Sequence, residues 1–173
     1  MLLRILTIIS ISLGMSSAIS AQVIVVQLDS AVIDSIKVLQ SVTPVDSILR
    51  TAESYLGTSY KYGSQSTKSF DCSGFVRQCY SSINFDLPHS SSAQSEVGEK
   101  IKLKNVQPGD LMFFKGRSTK KKTIGHVAIV HSIDENGNIF MIHASTSRGV
   151  IIECYNTSEY FTKRFVVAKR LLA

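Results

Sequence analysis

The chain has 173 residues, 44% of them apolar, and carries a net charge of +6, which suits one globular domain behind a short leader. Three prolines and ten glycines leave no room for a long low-complexity linker, and no internal repeat is visible. The positive balance favours anionic surfaces such as cell-wall polymers, lipopolysaccharide or nucleic acid, and charge alone picks none of them.

The start of the chain reads as a signal peptide over residues 1–21: one charge at Arg4, an apolar run over 5–15, then Ser16-Ser17-Ala18-Ile19-Ser20-Ala21 at cleavage-compatible spacing. A retained anchor is the competing reading, but Ser10, Ser12 and Gly14 interrupt a run already short of the roughly 20 residues a span needs. No cysteine near the cleavage region offers a lipid attachment point. The expectation is an exported protein, periplasmic or secreted, with no stable membrane insertion after the leader is removed. Residues 22–43 read as a spacer, a pro-segment or an added helix.

The catalytic-type domain is expected over 44–173. Thr43-Pro44-Val45-Asp46 combines a cap, a first-turn proline and a first-turn acid, and Val45, Ile48, Leu49, Ala52, Tyr55 and Leu56 recur at helical spacing up to Gly57. Residues 60–69 are polar and turn-forming. Asp71 then caps a second predicted helix with Phe75, Val76, Cys79 and Tyr80 on its apolar face and Cys72 in its first turn. After Pro88 the period changes to two, predicting strands at 110–114, 125–133, 138–144, 150–154 and 165–171. The basic run Lys115, Arg117, Lys120, Lys121 and Lys122 reads as a solvated loop, with anion contact as the second reading. Helices first and strands after argue for an α+β fold with an antiparallel sheet.

Three cysteines leave at least one thiol over; Cys79 and Cys154 are the pair open to a disulfide, and Cys72 is the one with chemistry around it. A helix N-terminus stabilises a thiolate through its N–H groups and dipole, so the place of Cys72 favours reactivity. The base comes from His89, His126, His131 and His143. A two- or four-residue loop at 134–137 pairs strand positions whose numbers sum to an odd value, which puts His126 and His143 on one face and His131 on the other. Contact between the first two then needs a diagonal relation or a bulge. His126 is the expected base, His143 its orienting partner, His131 a surface or half-buried strand residue and His89 a loop residue. No close-spaced ligand motif such as HExxH appears, so neither a metal nor a cofactor is expected.

Asp71-Cys72-Ser73-Gly74-Phe75, Pro108-Gly109-Asp110-Leu111, Gly125-His126-Val127 and Ile142-His143-Ala144-Ser145, in this order, resemble the NlpC/p60 family of papain-like cell-wall cysteine peptidases over residues 46–172. The likeness is particular to the enterobacterial murein endopeptidases through Gly57-Thr58-Ser59-Tyr60-Lys61-Tyr62-Gly63, Leu87-Pro88, Gln94, His143-Ala144-Ser145-Thr146-Ser147 and Gly149-Val150-Ile151-Ile152. The resemblance implies a papain-like fold with N-terminal helices on a sheet of five or six antiparallel strands. It also implies Cys72 as nucleophile, His126 as base, His143 as third polar residue, Tyr60 at the oxyanion site, and Asp71 and Ser73 in contact with substrate. The implied partner is the stem peptide of peptidoglycan, not nucleic acid. A non-catalytic wall-binding module and an amidase or acyltransferase on the same scaffold are the rival readings, and oligomeric state is not legible. The chain departs from the enterobacterial pattern in a longer segment between His126 and His143 and in the basic insertion at 115–122.

Overall fold

The computed structural model describes residue 29 and residues 42–116 and 123–172. The expected signal peptide at 1–21, nearly all of the 22–43 segment and residues 117–122 of the basic run lie outside the described residues. Among the described residues no helix is long and apolar enough to cross a membrane.

Helix α1 spans Pro44–Ser54 and begins with the expected cap, completed as a reciprocal box: the Asp46 N–H donates to Thr43 Oγ1 at 3.1 Å, and the Thr43 N–H donates to Asp46 Oδ2 at 2.9 Å. Its inward face is Ile48 and Ala52, both fully buried. The helix stops short of the periodic run, and Leu56, assigned to the apolar face from its spacing, is 48% exposed. The turn at 55–57 points it outward, with Gly57 at a φ of +81°.

A small hairpin follows, β1 (Gln65–Ser66) and β2 (Ser69–Phe70), in the stretch read as turn-forming. Helix α2 spans Cys72–Ser81 with Asp71 as N-cap, and Phe75, Val76, Cys79 and Tyr80 are all fully buried as the periodicity requires. Short elements come next: α3 (Ser91–Gln94), β3 (Glu99–Ile101) and a turn of 3-10 helix at Leu103–Asn105. The predicted strands appear as β4 (Leu111–Lys115), β5 (Ile124–Ile133), β6 (Ile139–Ser145), β7 (Gly149–Cys154) and β8 (Phe165–Arg170), with α4 (Glu159–Thr162) before the last. Lys115 therefore ends a strand, where a loop was expected.

The strands form one six-stranded antiparallel sheet in the order β3-β8-β4-β5-β6-β7. β3 and the hairpin escaped the sequence because two or three residues carry no period. One face of the sheet packs Leu111, Phe113, Val127, Ile129, Ile142, Ala144 and Val150 on the helices. The other face gathers Met112, Phe114, Ala128, Val130, Met141 and Ala168 under Tyr155 and Phe161. This is the α+β, papain-like arrangement that the order of elements implied.

Pro108-Gly109-Asp110-Leu111 is explained by packing rather than chemistry. Asp110 is buried, takes the Gln107 N–H at 2.7 Å, and receives both Nε and Nη2 of Arg170 at 2.8 and 2.7 Å. That bidentate pair ties the turn before β4 to the end of β8. All three cysteines are free thiols, so Cys79 and Cys154 are unpaired with each other, and Cys79 sits in the core against the sheet.

Candidate active site

Cys72 is the first residue of α2, and the local sequence holds it there. The Asp71 carboxylate accepts from the Gly74 N–H at 2.7 Å and the Ser73 hydroxyl at 3.0 Å through Oδ1, and from the Gly63 N–H at 2.9 Å through Oδ2. Asp71 thus fastens the turn at 61–63 to the helix start, and both of its oxygens are engaged in structure while the side chain still borders the groove. Gly74 is required for the same reason: a Cβ there would overlap the Ser64 carbonyl oxygen. Gln94 Nε2 donates to the carbonyls of Ser73 at 3.0 Å and Pro88 at 2.8 Å, bracing the first turn from the other side.

Tyr60 runs beside this turn in a parallel bridge to Phe70. Burial, then the neighbouring Cys72 and Asp71, push its hydroxyl up to about 12, so it remains a proton donor at neutral pH. Cys72 is only 8% exposed. Burial first and the Asp71 carboxylate second push the thiol up to about 11, against the N–H groups of Val127, Ser73 and Cys72 itself. The activation expected from the helix N-terminus is therefore outweighed by burial and the Asp71 carboxylate.

The Val127 N–H that reaches Cys72 belongs to the residue after His126, so β5 approaches the helix start next to the base. Gly125 forms a bulge against β4, where Phe114 pairs with His126 but Lys115 pairs with Ile124. Near the hairpin the loop covers 134–138, longer than the two or four residues expected, and Ile133 pairs with Ile139 in an even-sum register. A bulge at His131 returns the strands to Ile129 opposite Ile142, an odd sum. These two departures cancel, and continuing that register makes His126 and His143 diagonal neighbours on one face. His126 Nε2 lies 3.0 Å from His143 Nδ1 with the rings perpendicular. His131 faces the helices, where its Nε2 meets Glu53 on α1 at 2.8 Å.

Burial first, and then His143, lower the basicity of His126, while Glu153 acts in the opposite direction. His143 is 2% exposed, and its Nε2 meets Glu153 Oε1 on β7 at 2.7 Å. The second oxygen of Glu153 accepts from Arg148 Nη2 at 2.7 Å. Phe161 of α4 packs against both imidazoles, with centroids 5.6 Å from His126 and 5.2 Å from His143.

These residues line a groove of about 1020 Å³. Tyr60, Tyr62, Asp71, Cys72, Ser73 and His89 form one wall, and Lys115, His126, His143, Arg148, Glu153 and Tyr160 line the rest. His89, read as an ordinary loop residue, stands at this wall with Nε2 3.5 Å from Asp71 Oδ1. Glu153, Arg148 and Phe161 were not singled out from sequence. A signal for Glu153 was present, since β6 and β7 pair in an even-sum register that puts odd positions of both strands on the face of His143.

A helix-borne cysteine opposed to strand histidines across an open groove is the layout of the papain-like class. The NlpC/P60 family model matches residues 57–170, and the chain belongs to that family. The murein DD-endopeptidase MepS/murein LD-carboxypeptidase of Escherichia coli (strain K12) is 37% identical over 118 residues, covering 68% of this chain and 57% of the relative. The gamma-DL-glutamyl hydrolase of Bacillus subtilis (strain 168) is 33% identical over 138 residues, covering 79% of this chain and 32% of that protein. The matched part thus spans less than two thirds of either relative's length. A crystal structure of an NlpC/P60 family protein from Bacillus cereus ATCC 10987 superposes with a TM-score of 0.65 at 33% identity, covering 75% of this chain and 40% of that one.

Proposed function

We propose that this chain is an exported cysteine endopeptidase, periplasmic or secreted, that hydrolyses amide bonds in the stem peptides or cross-links of peptidoglycan. The observation that carries the reading is that Cys72, at the first turn of α2, and the His126–His143 pair line one open groove. The names of the relatives supply the substrate class.

His143 occupies Nε2 of His126, so Nδ1 is the nitrogen left to serve Cys72. With the thiol pushed up and the imidazole pushed down, the resting pair is neutral. The Cys72 sulfur attacks the amide carbon as its proton passes to His126 Nδ1. The Cys72 N–H at the helix start and the Tyr60 hydroxyl hold the oxyanion. His126 then gives that proton to the departing amine nitrogen as the C–N bond breaks, leaving an acyl-enzyme. Water attacks the thioester with His126 again taking a proton, which returns to Cys72 when the C–S bond breaks.

The test is mass spectrometry of muropeptides after digestion of purified peptidoglycan by the protein, beside Cys72→Ala. Loss of cross-linked dimers only with unmutated Cys72 is the expected result and names the bond. Release of peptides from the sugar instead means an amidase, and unchanged muropeptides with folded protein mean a wall-binding module.

A further inference from the structure

We propose that Glu153 is a positioning residue for the base: acting through His143, it fixes the tautomer of His126 so that the nitrogen serving Cys72 is the unprotonated one. This rests on the cysteine-peptidase reading of the groove.

The three side chains stand in a diagonal row across β5, β6 and β7. His126 Nε2 meets His143 Nδ1 at 3.0 Å, and His143 Nε2 meets Glu153 Oε1 at 2.7 Å. A carboxylate only accepts hydrogen bonds. Glu153 is held in that form, down to about 2, by the bond from His143 and the bond from Arg148. His143 must therefore carry its proton on Nε2. A neutral imidazole has one N–H, so His143 Nδ1 is bare and can only accept. His126 then has to donate from Nε2 across the 3.0 Å contact, which leaves Nδ1 as the lone pair.

Without a carboxylate at 153 the chain is free to run the other way. His143 then donates from Nδ1, His126 accepts at Nε2, and the His126 proton sits on Nδ1, where no base remains for the thiol. Arg148 keeps the carboxylate from turning by holding its other oxygen at 2.7 Å, while itself remaining 57% exposed at the groove. No proton travels along the row during attack: His126 gains the Cys72 proton on Nδ1 and keeps its own on Nε2. The negative charge of Glu153, one ring away, steadies the imidazolium so formed.

The test uses the full chain labelled with 15N in its histidines. At pH 7 the unmutated protein should show His126 and His143 both protonated at Nε2 and bare at Nδ1. Proton on Nδ1 of either residue overturns the proposal, and this reading needs neither a variant nor activity. In Glu153→Gln the two rings should become tautomer mixtures, with kcat lower by about 10- to 100-fold, part of the 10²–10⁴-fold a positioned base supplies. KM should stay within about twofold, and the acid limb of the rate profile should move to lower pH. Glu153→Asp should restore the tautomers and part of the rate. Unchanged tautomers and rate in folded Glu153→Gln overturn the role. The expected tautomers in a protein that leaves muropeptides intact would instead retire the peptidase reading and leave the relay standing.

Discussion

The two walls of the groove are built in different ways. The nucleophile side is local: Asp71, Cys72, Ser73 and Gly74 are consecutive, and a single cap fixes the helix start and the turn at 61–63 together. The base side is assembled from β5, β6 and β7, and its residues meet only because two strand registers put them on one face. A fault on the first side should register as lost stability, because it frees buried donors. A fault on the second should register as lost rate in a protein that still folds.

Acid gives the largest expected effect and is the exception to that division, because it adds a charge at His126 and removes the one at Glu153, and both changes act on stability. Folded His126 binds a proton less readily than the unfolded chain, whose ordinary value is 6.5, so below that pH the unfolded state holds more protons and stability falls. Glu153 adds a loss in the same direction as pH drops from 4.5 toward about 2. Together these cost on the order of a few kcal/mol. Thermal melts between pH 7.5 and 3 should show Tm falling from about pH 6.5 downward; a level Tm to pH 4.5 contradicts a part-buried, neutral His126.

Asp71→Ala should come next. Removing the cap leaves the N–H groups of Gly74 and Gly63 without their acceptor, at a cost of about 2 kcal/mol. Urea unfolding measures it, and a loss below about 0.5 kcal/mol would mean that the first side does not depend on its cap.

Gly125→Ala is the smallest of the three and the sharpest on the second side. A Cβ there would stand 2.5 Å from the Gly116 Cα, so the bulge must shift and carry His126 with it. About a tenfold loss of kcat, with Tm changed by no more than a few degrees, is the expected result. A large fall in Tm at unchanged rate would reverse the contrast between the two sides.

Much of the first side was legible in the sequence. Thr43 and Asp71 cap where composition placed them, and Phe75, Val76, Cys79 and Tyr80 form one buried face as their spacing required. The long strands also emerged within a residue or two of their expected ends. The expected pairing of His126 with His143 came through a five-residue loop at 134–138 and a bulge at His131, neither visible in a period-two pattern. Leu56 kept the helical period and still faced solvent, because the helix ended before it.

Neighbours along the chain enforce the caps, the apolar periods and a cysteine opening a helix. Those signals act within one or two turns or strands, so they leave a local pattern. The direction in which Cys72 titrates depends on the folded surroundings, because burial and Asp71 compete with the N–H groups around it. So does the relay to Glu153, which lies ten positions beyond His143 in the chain yet 2.7 Å from its ring. Contacts of that kind depend on strand register and on the groove that closes around them, and both arise only when the whole sheet has formed.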